Sequence, residues 1–258
     1  MADLNDAIDD FWAARQPGGK FPTQWDGKIT QEEAYKIQLA LLDRHVARGD
    51  AQAGWKVGLT AKAIRDQFGF KEPVYANLFD HGRWPSGGTW QLSELYRPGW
   101  ENELLLIVGK RLQGPNATEA DARAVITGIA PAMELIEARC SNTPEAMNGM
   151  LADNGQQRAF IVGKEIKFDP EIHDLASASV EVFVDGVFQE RAFGREVMGS
   201  GPLASLAWLA NKLAAHGRAV EAGTVVMSGS FTRQYQLDRP KRVEVRFAPF
   251  GTVTASFV

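Results

Sequence analysis

Arg97 to Leu112 reads RPGWENELLLIVGKRL, an apolar run of strand character that begins with Glu101 and Glu103. On a β-strand, side chains two residues apart share a face. The two carboxylates would therefore stand side by side and repel each other. A bound cation would offset that repulsion; the alternative is a solvated strand start carrying two surface acids. Glu134, in PAMELIEAR, is a third acid inside an otherwise apolar run. A lone carboxylate there is costly unless it is paired or coordinates a metal. Three carboxylates without Cys or His suit Mg²⁺, Mn²⁺ or Ca²⁺ rather than Zn²⁺. Glu137 competes with Glu134: were this segment helical, it would be an outward-facing acid.

Lys56, in GWKVGLT, is flanked by apolar residues and glycines. Such a lysine either snorkels outward or serves as a buried acid/base with a lowered pKa. Asp80, in NLFDHG, is explained by turn formation alone, and its neighbour His81 equally by a surface position. His45, His173 and His216 have no partner in view. Met227 to Thr232, MSGSFT, offers hydroxyls and backbone N–H groups that could cradle a substrate carboxylate; a plain strand-to-turn junction is the other reading. The single cysteine, Cys140, excludes an internal disulfide and carries no catalytic motif.

The elements that must position these residues are a mixture of helices and strands. Residues 3–15 read as an amphipathic helix ended by QPGG. TQEEAYKIQLALLDRHVARGD is a second helix, with Thr30 and Glu33 at capping-box spacing and Gly49 at its end. AGWKVG is a short strand followed by a helix from near Thr60. VYANLFDHGRWPSGG reads as an aromatic loop. TEADARAVITGI reads as a helix capped by Thr118, and APAMELIEARC as a buried strand. FIVGKEI, ASVEVFVDGVFQERAF and KRVEVRFAPFGTVTASFV alternate as strands do, with VDGV a hairpin signal. GPLASLAWLANKLAAHG is a helix closed by Gly217, and AGTVVMSGSFT a strand running into a turn. Many strands with few helices between them predict an α+β fold on a curled mixed sheet rather than a regular βαβ series. A helical N-terminal segment over 1–50 and one domain over 51–258 are expected.

The chain has 258 residues, 45% of them hydrophobic, enough for one large core. With 28 basic and 32 acidic residues the net charge is −4, which gives no electrostatic reason to bind nucleic acid or an anionic membrane. No apolar run reaches membrane-span length, and the acidic N-terminus lacks a secretory core. A cytoplasmic protein is the expectation.

In order along nearly the whole chain, GWKVGLTAKAI, EPVYANLFD, ENELLLIV, APAMELIEAR, LADNG, GSGPLASLAWLANKLAAHG, AGTVVMSGS and FGTVTASF resemble the fumarylacetoacetate hydrolase superfamily. More narrowly, they resemble its 2-oxopent-4-enoate hydratase and 4-oxalocrotonate decarboxylase family. The resemblance implies a mixed β-roll core, with Mg²⁺ (or Mn²⁺) on Glu101, Glu103 and Glu134. It also implies Lys56 in the active site with Asp80 as neighbour. Asp153 and Asn154 fall on the family's ADN segment, and with Trp55, Leu59, Ser228, Ser230, Thr232 and Arg233 they make up the expected substrate-binding set. The implied activity is hydration of a 2-hydroxy-2,4-dienoate in aromatic meta-cleavage catabolism. Decarboxylation of a 2-oxo-3-enedioate is the alternative, and a non-catalytic partner subunit a second one. A homo-oligomer, in complex with a pathway partner enzyme, is a further implication. The chain departs from the family at Ser200-Gly201, where a His-Pro pair is usual, and at Arg239-Pro240, where a Gly-Asp turn is usual. ADNGQQRAF and SGSFTRQY are bulkier and more polar than usual. Arg158 and Arg233 could then meet a second substrate carboxylate, or lie on the surface.

Overall fold

The computed structural model describes residues 4–258. Among them, nine strands build the larger sheet, in the order β2 (Val74–Phe79), β1 (Gln52–Gly58), β11 (Val225–Met227), β5 (Pro98–Val108), β6 (Ile126–Glu137), β7 (Gln157–Val162) and β3 (Arg83–Pro85). The short β12 (Tyr235–Gln236) pairs with β5, and β8 (Ile166–Lys167) with β6. A second sheet runs β10 (Val187–Phe193), β9 (Ser179–Val184), β13 (Lys241–Ala248), β14 (Gly251–Phe257) and β4 (Thr89–Trp90). This is the expected α+β fold, with curled mixed sheets.

Six helices accompany the sheets: α1 (Leu4–Ala14), α2 (Gln31–Ala47), α3 (Lys62–Phe68), α4 (Glu119–Val125), α5 (Met147–Ala152) and α6 (Pro202–Ala214). Local chemistry sets several of their ends. The Thr30 hydroxyl accepts from the Glu33 amide while the Glu33 carboxylate accepts from the Thr30 amide, and Thr118 and Asp121 repeat the device on α4. The β9–β10 hairpin turns at Asp185 and Gly186, whose φ of 52° and 78° are what a type I′ turn requires. The helix expected over 3–15 is found as α1, residue 3 lying outside the described residues.

Two local expectations need correction, and one helix was not anticipated. VYANLF is not loop but β2, buried along its whole length; a strand covered on both faces shows no alternation to read. TEADARAVITGI is helical only to Val125, after which the β-branched Val-Ile-Thr run turns into β6. Helix α5 carried no strong signal.

Directly paired residues share a sheet face. Register therefore puts Ala76, Lys56, Met227, Leu105 and Ala130 in one row, with Glu101, Glu103, Ala132 and Glu134 on the same side. A small apolar cluster that includes Leu78, Leu105, Ala132, Phe160 and Met227 lines this face. The opposite face, with Trp55, Val57, Tyr75, Leu104, Leu106 and Leu135, belongs to the main core. Helix α2 packs against α1 and α5.

Candidate active site

Strands β5 and β6 are antiparallel, and their register sets Glu101 directly opposite Glu134 and Glu103 opposite Ala132. The i, i+2 pair on β5 and the single acid on β6 thus converge. One oxygen from each of Glu101, Glu103 and Glu134 lies within 4.8 Å of the others. Glu103 and Glu134 are fully buried, and Glu101 is half-buried. Glu137 stands opposite Pro98, and its carboxylate accepts from the Tyr96 amide and faces Arg158 at 3.6 Å; it is not part of the cluster.

Three ionised carboxylates so placed repel by about 3 kcal/mol per pair at an effective dielectric of 20. The structure relieves little of this. Gly229 N–H donates to Glu103 Oε2 at 2.6 Å, because the chain leaving β11 runs beside β5. Glu103 Oε1 and both Glu134 oxygens accept no hydrogen bond. Burial, then the Glu134 charge, pushes the Glu101 carboxyl up to about 7. Burial, Glu134 and Glu101 hold Glu103 well above the ordinary carboxylate range, against the pull of the Gly229 N–H. Orphaned carboxylate oxygens converging from two strands fit a hard divalent cation of the Mg²⁺ type.

Lys56 does not snorkel. It is 5% exposed, and its Nζ lies 3.4 Å from Glu134 Oε1 and donates to the Gly155 carbonyl at 3.1 Å. Burial alone would lower its pKa, but Glu134, Glu101 and Glu103 outweigh that and hold it above the usual lysine range. The lowered value expected from burial is thus reversed by the carboxylates. Two glycines make the room: a Cβ at Gly58 would stand 3.2 Å from Lys56 Nζ, and one at Gly155 3.1 Å from Lys56 Cε.

Among the remaining expected residues, Ser228 and Ser230 carry buried hydroxyls without a hydrogen-bond partner, on either side of the Gly229 amide. Leu59 follows β1 with φ 54°, a left-handed value unfavourable for leucine, and its carbonyl accepts from Arg65. The Thr232 hydroxyl accepts from Asn102 at 2.5 Å.

Five expected residues lie elsewhere. Asp80 is exposed at the end of β2, four residues beyond the Ala76 that faces Lys56, roughly 13 Å at strand rise. Trp55 neighbours Lys56 on β1, so it points to the opposite face, where it packs edge-on against Tyr75. Arg233 is at the surface with Glu190 at 3.3 Å and lies over the Tyr235 ring. Asp153 is wholly buried between Arg15 and Arg139. Asn154 bonds the Asn77 backbone in both directions, accepting at 2.7 Å and donating at 3.0 Å. The Gly155 carbonyl was not foreseen from the sequence; the Gly229 amide lies in the MSGSFT stretch expected to offer N–H groups, but it meets Glu103.

The chain that carries these three convergent glutamates and the buried lysine belongs to the fumarylacetoacetate hydrolase family: residues 76–258 match the family's C-terminal model. The chain is 32% identical over 238 residues to 2-oxo-hept-4-ene-1,7-dioate hydratase of Escherichia coli, covering 90% of this chain and 88% of that one. It is 32% identical over 231 residues to 4-oxalocrotonate decarboxylase of Pseudomonas putida, covering 90% and 87%. A solved structure of 4-oxalocrotonate decarboxylase from Pseudomonas putida G7, complexed with magnesium and adipate, superposes with a TM-score of 0.88 at 31% identity, over 99% of this chain and 96% of that one. The relatives are thus named hydratases and decarboxylases, and the superposed decarboxylase is complexed with magnesium. No helix among the described residues is long and apolar enough to cross a membrane.

Proposed function

We propose that the protein is a hydratase that adds water to a 2-hydroxy-2,4-dienoate, giving a 4-hydroxy-2-oxo acid, with Mg²⁺ or Mn²⁺ held by Glu101, Glu103 and Glu134. The observation that carries this reading is the closed set of three carboxylates with Lys56 set against Glu134. When bound, the divalent cation supplies Lewis-acid stabilisation of enolate charge on the substrate's 2-oxygen. Lys56, held protonated by the carboxylates around it, is the proton carrier. It donates to the distal carbon of the dienol and is reprotonated by the proton that leaves the 2-hydroxyl, giving a 2-oxo-3-enoate. Water then adds across the remaining double bond, oxygen at C4 and hydrogen at C3. Ser228 and Ser230 offer their free hydroxyls to the substrate's polar end. Leu105, Phe160 and Met227 enclose the hydrocarbon chain and keep bulk water out. Of the segment expected over 1–50, the described residues 4–50 are a helical cover on the catalytic domain, residues 51–258.

The positions of two arginines favour hydration over decarboxylation. A dienedioate needs a cation for its second carboxylate, but Arg233 is engaged by Glu190 at the surface and Arg158 by Glu137, with its guanidinium over Trp84. Decarboxylation is the second reading, favoured by the close superposition on a decarboxylase. A non-catalytic partner subunit would have no use for a buried lysine against three carboxylates. The test supplies 2-hydroxypenta-2,4-dienoate and 2-oxo-3-hexenedioate separately with Mg²⁺ and follows products by NMR. A 4-hydroxy-2-oxo acid from the monoacid is expected. Release of CO₂ from the diacid without hydration of the monoacid would replace the hydratase by the decarboxylase, and inertness towards both would refute the lyase reading.

A further inference from the structure

Lys56 is oriented by a carbonyl on a turn that is itself unfavourable. Its Nζ donates to Gly155, and Asn154, Gly155 and Gln156 have φ of 55°, 57° and 62°. Three consecutive left-handed residues, two of them not glycine, persist only where the surroundings over-determine them. Part of that constraint is Asn154 on the Asn77 backbone. The rest comes from outside the sheet.

Asp153, directly before the turn, is held by two arginines. Arg15, just past the end of α1, donates from Nε to Asp153 Oδ1 at 2.6 Å. Its Nη2 donates to the Asp153 carbonyl, and its Nη1 to the Gln157 carbonyl at 3.4 Å. Arg15 thus grips both ends of the turn. Arg139, beyond β6, places Nε 2.9 Å from Asp153 Oδ2 and donates from Nη2 to the Ala14 carbonyl at 2.6 Å. The result is a closed ring: Asp153 to Arg15, along the chain to Ala14, to Arg139, and back to Asp153. A fully buried carboxylate with two cations is costly to break, since removing one partner leaves charge uncompensated.

We propose that Arg15 and Arg139 are positioning residues for Lys56: by clamping Asp153 they fix the 153–157 turn, and with it the Gly155 carbonyl that aims the lysine ammonium. The first helix thereby takes part in the chemistry without touching substrate. The inference rests on the reading of Lys56 as proton carrier. It assigns Asp153 to the clamp and not to the substrate.

The test compares Arg15→Gln and Arg15→Lys with Asp9→Asn. The last breaks the Arg44–Asp9 tie at 2.6 Å between α1 and α2 and leaves the turn alone. Turnover is measured with 2-hydroxypenta-2,4-dienoate, Mg²⁺ affinity by calorimetry, and backbone amide exchange of residues 154–157 by mass spectrometry. In Arg15→Gln, kcat falls by about ten- to a hundredfold, the range for a small misplacement of a reacting group, while KM and Mg²⁺ affinity stay within about twofold. Exchange in the turn rises, with β5 and β6 unchanged. Arg15→Lys keeps the ion pair but loses the grip on the Gln157 carbonyl, so it lies between. Asp9→Asn matches the wild type. Unchanged exchange or unchanged kcat in Arg15→Gln overturns the proposal, as does an equal loss in Asp9→Asn. If the wild-type enzyme itself shows no turnover, the functional reading fails, while exchange in the turn still decides the clamp.

Discussion

Removing one carboxylate from the cluster should make the metal-free protein more stable at alkaline pH. Consider Glu101→Gln. Glu101 titrates at about 7 in the folded chain against an ordinary 4.5. A carboxyl whose folded pKa is raised supports the fold when protonated, and that support is lost as pH rises from the unfolded value through the folded one. At 1.36 kcal/mol per pK unit, the loss between pH 5 and pH 8 is about 2.5 kcal/mol. Glu101 is half-open to solvent, which makes this an upper value. Glutamine carries no such charge, so the variant escapes the loss and also relieves Glu103. For a chain of this size the gain is about 5 °C in Tm at pH 8, shrinking towards pH 5. The assay is thermal unfolding of both proteins in EDTA across that range. Taking their difference cancels the titrating groups that Glu101 does not influence, and leaves Glu101 with the neighbours its charge shifts, Glu103 and Lys56. Saturating Mg²⁺ should reverse the order, because a ligand at 100 times its Kd stabilises a site that binds it by about 2.7 kcal/mol. A Glu101→Gln protein less stable than wild type in EDTA at pH 8, or a difference that does not change with pH, would rule out a raised Glu101 pKa as the cause.

Glu103→Gln keeps an oxygen for the Gly229 amide, so it should fold normally yet bind Mg²⁺ at least about tenfold more weakly, as fewer charged ligands lower affinity; calorimetry checks both. Lys56→Ala should lower kcat by roughly 10² or more without weakening metal binding, and a loss confined to KM would indicate a binding role instead. Asp80→Asn, at an exposed position, should leave steady-state kcat within about twofold of wild type, the range of surface changes away from a site. Gly155→Ala brings a methyl within 3.1 Å of Lys56 Cε at a φ of 57° and should lower kcat and cost about 1 kcal/mol or more in denaturant unfolding.

Much of the site was legible because its chemistry is written in residue types that local structure would otherwise reject. Glu101 and Glu103 are read from strand period alone, and Glu134 from the cost of an acid in an apolar run. What joins them is the β5–β6 register, which follows from long-range pairing and leaves no periodic trace. The same limit explains Asp80. A turn residue after an apolar pair has no address until β2 is paired with β1, and that pairing carries it away from Lys56. Strand alternation already separates Trp55 from Lys56, and the structure keeps them apart. Gly155 was hidden because its contribution is a carbonyl and a missing Cβ, and only LADNG hints at a left-handed turn. Arg15 and Arg139 sit in stretches with no motif and meet only because α1 folds back over the loop after β6.

The central question is whether one divalent ion binds all three glutamates beside Lys56. Crystals soaked in Mn²⁺ with oxalate, and measured for anomalous scattering at the manganese edge, would decide it. A single strong peak bonded to oxygens of Glu101, Glu103 and Glu134, with the oxalate completing its coordination on the Lys56 side, is the predicted result. A map with no peak there, or with the three carboxyl groups turned apart around the lysine, would contradict it.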